Sequence, residues 1–298
     1  MNWETMMIAL SAVETMRIPT ELGELAVHVV GDGRRGDQLG GGRPAGTASR
    51  PDTVGWHSMF VDSRSWSRLI ALLPDRRFYL IDAPSCGASE RLSGAVDISA
   101  CTRAAAEVVG ALGLSEVDWI GNAWGGHVGI ELAATRPDLV RSLIAISAPT
   151  FPIPMSLRAQ VHLLLPIYRV FGARGPVRST IMQTLLTDET RRSDAEVVEL
   201  LDACLAESGV DAVDAIATCI LNRTDLLWAA RRVTCPTLFV TTDDRGEWTS
   251  EQARGVVDQM ANASLTEIVG ARVIPALEQP APLAEAVTTF WERLVVSG

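Results

Sequence analysis

Lysine is missing altogether: all 26 basic residues of this 298-residue chain are arginine. That excludes Schiff-base lysine chemistry and any phosphate-binding loop built on a lysine. Long apolar runs are missing too, and no stretch approaches the ~20 residues of a membrane helix. The opening MNWETMMIALSAVETMRIP has an early acid and no basic n-region, which makes a poor secretory signal. Cysteine is sparse and scattered. Cys86, Cys101, Cys204, Cys219 and Cys235 form no C-x-x-C and no Cys/His metal spacing. Reduced thiols, a cytoplasmic location and no metal or other cofactor are therefore expected. Basic charge is in deficit, with 26 basic against 36 acidic residues and a net charge of −10. Nucleic-acid binding needs a basic footprint, so neither nucleic acid nor membrane is an expected partner.

What is present is a globular composition, 47% hydrophobic and 21% charged. Residues 24–30 alternate and are β-branched, which predicts a strand. Residues 31–52 are rich in Gly, Arg and Pro and read as an exposed loop. Apolar spacing at Trp66, Leu69, Ile70 and Leu73 predicts a helix over 62–73. Strands are expected at 77–84, 118–121 and 142–149, with helices at 97–113 and 125–135 between them. From about Phe151 to Arg232 the pattern is helical throughout. Strand–helix alternation resumes at 236–242, 264–269 and 282–296. Alternation means an α/β fold with a mostly parallel central sheet covered by helices. The expected organisation is a core in two parts, 21–150 and 233–298, with a helical cap at 151–232 over the carboxyl ends of the strands, where open α/β sheets bind ligands.

Six landmarks fall in order along residues 24–296. They are Trp56-His57-Ser58-Met59, Asp82-Ala83-Pro84-Ser85-Cys86-Gly87, Gly121-Asn122-Ala123-Trp124-Gly125-Gly126, Arg136-Pro137-Asp138-Leu139-Val140, Pro236-Thr237-Leu238-Phe239-Val240, and Ile274-Pro275-Ala276-Leu277-Glu278. On these the chain resembles the α/β-hydrolase superfamily. The resemblance implies an elbow, Gly-x-Ser-x-Gly, at a sharp strand-to-helix turn. Here the elbow reads Gly121-Asn122-Ala123-Trp124-Gly125. Ala123 stands where the serine belongs, and a methyl group does not attack a carbonyl. The acid of the implied triad falls at Asp244, or at Asp243 by a one-residue slip. The histidine position falls at Val273, and none of the four histidines (28, 57, 127, 162) follows the acid. Of the implied catalytic set only Asp244 keeps a suitable side chain, as a base or as a relic held by backbone donors.

The resemblance also implies oxyanion donors at the backbone N–H groups of Trp124 and Met59. Ser58 replaces a glycine of that loop, and His57 is either a surviving acid/base or a loop-structuring residue. Ala123, Trp124, Phe151, Met155 and Val273, with His57, Ser58 and Met59, are the expected substrate-binding set. They suggest an apolar pocket for a bulky ligand. Cys86 reads as a loop thiol and His127 as a packing residue. His162 and Tyr168 stand as cap residues that either line the pocket or pack. Arg272 and Arg64 are candidate partners for an acidic ligand.

Without nucleophile and general base, the expected activity is non-hydrolytic. Within the superfamily the chain resembles the peptide epimerases of bottromycin biosynthesis, natural-product enzymes that turn an L-aspartate beside a thiazoline into D-aspartate. That resemblance implies an isomerase acting on a ribosomally made, modified peptide, with proton transfer assisted by the substrate. A binding or carrier protein for a small molecule or peptide, and a residual hydrolase or cyclase, stand as alternatives.

Overall fold

The computed structural model describes residues 14–31, 51–92, 94–210, 212–221, 223–244 and 248–296. The glycine-rich stretch and the opening segment lie almost entirely outside the described residues. In chain order the strands are β1 (Glu14–Thr20), β2 (Gly23–Val30), β3 (Thr53–Trp56), β4 (Phe78–Ile81), β5 (Val117–Asn122), β6 (Val140–Ile146), β7 (Thr237–Thr242) and β8 (Ala263–Ile268). They form one eight-stranded sheet in the order β1-β2-β4-β3-β5-β6-β7-β8. β1–β2 and β2–β4 pair antiparallel, and every other pair is parallel. β3 to β7 read as near-continuous apolar runs because helices cover both faces, and a strand buried on both sides need not alternate.

The helices fall into three groups. α1 (Ser67–Ile70), α2 (Ile98–Ala111) and α3 (Trp124–Thr135) belong to the first half of the sheet. α4 (Met155–Phe171), α5 (Gly175–Leu185), α6 (Asp188–Ser193), α7 (Ala195–Ser208), α8 (Ala212–Ala215) and α9 (Leu227–Ala230) follow between β6 and β7. α10 (Ser250–Val257), α11 (Pro275–Glu278) and α12 (Pro280–Val296) complete the second half. Local signals explain several boundaries. Asp97 accepts from the Ala100 N–H at the start of α2, and Thr249 with Gln252 forms a reciprocal capping box on α10.

Two differences from the sequence expectation have physical causes. β1 has no apolar alternation to betray it: it is an edge strand whose only buried residue is Ile18. The helix expected over 62–73 is instead a 3-10 turn at Ser63–Trp66 running into α1. Asp62 caps the turn and grips Arg64 through three hydrogen bonds, so the first turn is wound tight.

A buried polar cluster stitches β5 to its neighbours. Asp118, fully buried on β5, accepts from Arg76 at 2.7 Å, Arg141 at 2.6 Å and Ser142 at 2.5 Å. The Arg76 guanidinium also lies 3.4 Å from the centroid of Trp291, which ties α12 to the sheet.

Candidate active site at the elbow

β5 ends in Asn122 and α3 starts at Trp124, so a single residue, Ala123, makes the turn. Its backbone stands at φ 47°, ψ −99°, a region an L-residue enters only under strain of about 1–3 kcal/mol. The turn is closed by backbone contacts. Ala123 N–H donates to the Ile146 carbonyl at 2.7 Å, and Gly125 N–H donates to the His57 carbonyl at 3.2 Å. Gly121 and Gly125 are required by close approach. A Cβ on Gly121 would lie 2.1 Å from the Gly125 carbonyl oxygen, and one on Gly125 would lie 1.9 Å from that of Trp56. Trp124 is the first residue of α3, and the opening N–H groups of a helix have no intrahelical acceptor.

Above the elbow lies a cavity of about 440 Å³, within the range of small-molecule sites. Its floor and near wall are Ser58, Met59, Phe60, Ala123, Trp124, Ser147, Thr242, Trp248 and Val273. Its roof comes from α4 and α5 through Leu157, Gln160, Thr180, Gln183, Thr184 and Leu185, with Cys219 and Arg223 beyond them. Ile98, His127 and Arg272 complete the lining. The indole of Trp124 is set edge-on against Trp56, with ring centroids 5.9 Å apart, and this fixes the floor.

Five of the residues expected to bind substrate meet here: Ser58, Met59, Ala123, Trp124 and Val273. Val273 is held through its backbone. Its N–H donates to the Leu185 carbonyl at 3.2 Å, and its carbonyl accepts from Asn122 Nδ2 at 2.8 Å. The other three stand outside the lining. His57 is fully buried, with Nε2 accepting from the Ala83 N–H at 2.8 Å and Nδ1 donating to the Ser58 carbonyl at 2.6 Å. Both nitrogens are committed, so this imidazole shapes the loop. Burial lowers its pKa, although Asp82 acts in the opposite direction. Phe151 is half-buried and packs on the hydrophobic core, and Met155 opens α4 with 79% exposure. An apolar residue at the first turn of a surface helix has no neighbouring turn to fold back against.

The remaining candidates are also placed. Asp244 is not part of the lining; it pairs with Arg272 Nη2 at 3.0 Å. Asp243 accepts from the Gly270 N–H at 2.7 Å and so closes the β8 loop. Arg64 lies outside the cavity between Asp62 and Glu207. Cys86 is buried, and burial pushes its thiol well above the usual range. Tyr168 packs in the core and His162 is exposed, and neither reaches the cavity.

His127 does line it. Its Nε2 donates to the Pro149 carbonyl at 3.0 Å. Burial, with the nearby Arg223 charge, pushes its pKa down to about 3. The folded value is below the unfolded one, so the stabilisation from keeping it neutral is complete above about pH 6.5 and is lost as pH falls towards 3. We expect the urea midpoint to drop across that window and His127→Gln to flatten the drop. An unchanged slope in the variant would show that His127 is not the group responsible.

Ser147, Gln160, Gln183, Arg223 and Trp248 are lining residues that sequence reasoning did not select. Ser147 alone carried a usable signal, since it follows the carboxyl end of β6. The lining residues of α4 and α5 carried none, because their facing depends on how those helices dock. Among the described residues no His, Cys, Asp and Glu cluster is arranged to hold a metal ion, and no helix is long and apolar enough to cross a membrane.

The parallel sheet, the strained elbow after β5 and the cavity at its tip define an α/β-hydrolase fold. The chain belongs to the alpha/beta hydrolase family, whose model matches residues 53–286. A pimeloyl-(acyl-carrier protein) methyl ester esterase from Serratia marcescens is 33% identical over 101 residues, covering 34% of this chain and 38% of that protein. Curated relatives are matched over 38% to 64% of their own lengths. Among solved structures, a thermophilic esterase from Thermogutta terrifontis superposes with a TM-score of 0.79 at 19% identity, covering 94% of this chain and 98% of that one. The enol-lactonase from Burkholderia xenovorans LB400 does so at 0.79 and 18%, covering 93% and 100%. At such identities these structures speak to the fold.

Proposed function

We propose that this chain is a non-hydrolytic member of its family that holds a carbonyl compound in the capped cavity. One observation carries the reading: the strained elbow is kept at φ 47° while its tip is a methyl group, and Val273 lines the same cavity. Strain at a functional turn is retained when something uses the turn. The tip carries no serine, so the candidate users are the backbone donors, the N–H groups of Trp124 and Met59. A pair of such donors polarises a carbonyl, and one oxyanion donor is worth about 10²–10³ in rate where charge develops on that oxygen.

Polarising a carbonyl acidifies the carbon beside it. The chemistry that fits is proton exchange at that carbon, with the proton leaving to a basic group of the substrate and passing to solvent, and a solvent-derived proton returning on the opposite face. Epimerisation of L-aspartate to D-aspartate beside a thiazoline in a modified peptide is the reaction of this class that the chain's resemblance suggests. The protein would contribute orientation and carbonyl polarisation. A second reading, binding without turnover, is favoured by the state of the titratable groups. His127 is held neutral by burial and donates to Pro149, and Asp244 is engaged by Arg272. Neither is placed as a general base.

Incubation with thiazoline peptides in D2O, read by mass spectrometry against boiled protein, separates the readings. We expect gain of one deuteron at the α-carbon beside the ring. Tight binding without exchange moves the chain to the binding class, and a cleaved product refutes the non-hydrolytic reading.

A further inference from the structure

The charged residues of the described lining are both arginines, one of them paired with Asp244 just outside it. Two guanidinium groups, Arg223 and Arg272, belong to its described lining, and no Asp or Glu does. This occurs in a chain whose net charge is −10. The two arginines come from different parts of the fold. Arg223 lies between α8 and α9 and is close enough to His127 for its charge to depress that imidazole. Arg272 precedes Val273 in the loop after β8. It is held there by Asp244 at 3.0 Å and by the Gln183 carbonyl of α5.

The chemistry of the two lining cations favours an acceptor: a guanidinium only donates hydrogen bonds. A carboxylate is acceptor-only, with about four lone-pair sites on two oxygens. A primary amide would present two donors of its own, and an ammonium would meet like charge.

We propose that the cavity takes an organic carboxylate with an apolar body, the carboxylate turned towards Arg272 and Arg223 and the body against Trp124, Leu185 and Val273. This rests on the reading of the cavity as the ligand site, and not on which reaction occurs there. It adds the substrate class to that reading.

The test compares carboxylates with their neutral isosteres by isothermal titration calorimetry on the full chain at low salt. The probes are 2-naphthylacetate and 4-phenylbutyrate against their primary amides, and a capped phenylalanyl-aspartate against the asparagine analogue. The first two represent a free acid and the third a peptide side chain, so the arms also identify the source of the carboxylate. We expect at least one acid to bind about tenfold or more tightly than its amide, as charge-assisted bonds to arginine imply. The preference should shrink as salt rises, and should fall about fivefold or more in Arg223→Met and in Arg272→Met. Thermal melting of each variant reports whether it folds. The salt series on the unaltered chain decides the matter if a variant does not fold. The proposal is overturned if no acid binds more tightly than its amide, if the preference is insensitive to salt, or if both folded variants keep it in full. Loss of the preference leaves the non-hydrolytic reading standing. Ester cleavage would refute that reading while leaving the preference intact.

Discussion

Ala123→Ser alone is expected to leave p-nitrophenyl butyrate hydrolysis at the level of the unaltered chain, whereas Ala123→Ser with Val273→His should raise it by about 10²-fold, the lower end of what a positioned general base supplies. A serine hydroxyl is a weak nucleophile until a base takes its proton. No existing imidazole is available to it. His57 has both nitrogens engaged by the Ser58 carbonyl and the Ala83 N–H. His127 donates from Nε2 to Pro149, and its pKa of about 3 makes the free nitrogen a poor base. His28 pairs with Asp82 at 2.9 Å on the far side of the sheet order, and His162 is exposed. Position 273 suits the second substitution because its backbone is fixed by Leu185 and Asn122 and its side chain already lines the cavity. The gain should stop well short of the ~10⁶ of an intact triad. Asp244, the carboxylate that would orient the new imidazole, is engaged by Arg272. Steady-state kinetics on the two variants decides it. Appreciable turnover by Ala123→Ser alone would mean that a base exists in the cavity and that the non-hydrolytic reading fails.

The framework was readable in the sequence because its signals are local. β5, the elbow and α3 occupy consecutive residues, and a glycine-bounded turn between an apolar strand and an apolar helix has few other meanings. The cavity was readable only in part. Ala123, Trp124 and Val273 were found because each stands at a fixed step from a landmark. His57 also stands at a landmark, yet the structure turns its ring into the Ala83 loop, a choice made by hydrogen bonds that spacing does not encode. Met155 and Phe151 were chosen for apolarity, and apolarity does not say which way the first turn of α4 faces. Asp244 shows the same limit for charge. Its partner Arg272 is 28 residues away along the chain and becomes its neighbour only when the loops after β7 and β8 come together.

Gly125→Ala is expected to destabilise the fold by about 4 kcal/mol or more, the size that marks overpacking against rigid backbone. The added carbon would lie 1.9 Å from the Trp56 carbonyl oxygen and 2.8 Å from Trp56 Cβ. Neither neighbour can swing away. Trp56 is fully buried at the end of β3, paired on both sides by β4 and β5. The elbow would have to lift off β3, breaking the Gly125 N–H bond to the His57 carbonyl. That separation would also pull the Trp124 N–H away from the Met59 loop, so the two proposed carbonyl donors depend on the same glycine. Gly255→Ala is the matching control. It lies inside α10, a Cβ there meets nothing within 4 Å, and alanine should stabilise that helix by about 1 kcal/mol. Urea unfolding of the two variants should therefore move the midpoint in opposite directions. A Gly125→Ala chain as stable as the unaltered one would mean that the elbow and β3 do not touch as described. The carbonyl site built on that contact would then lose its geometry.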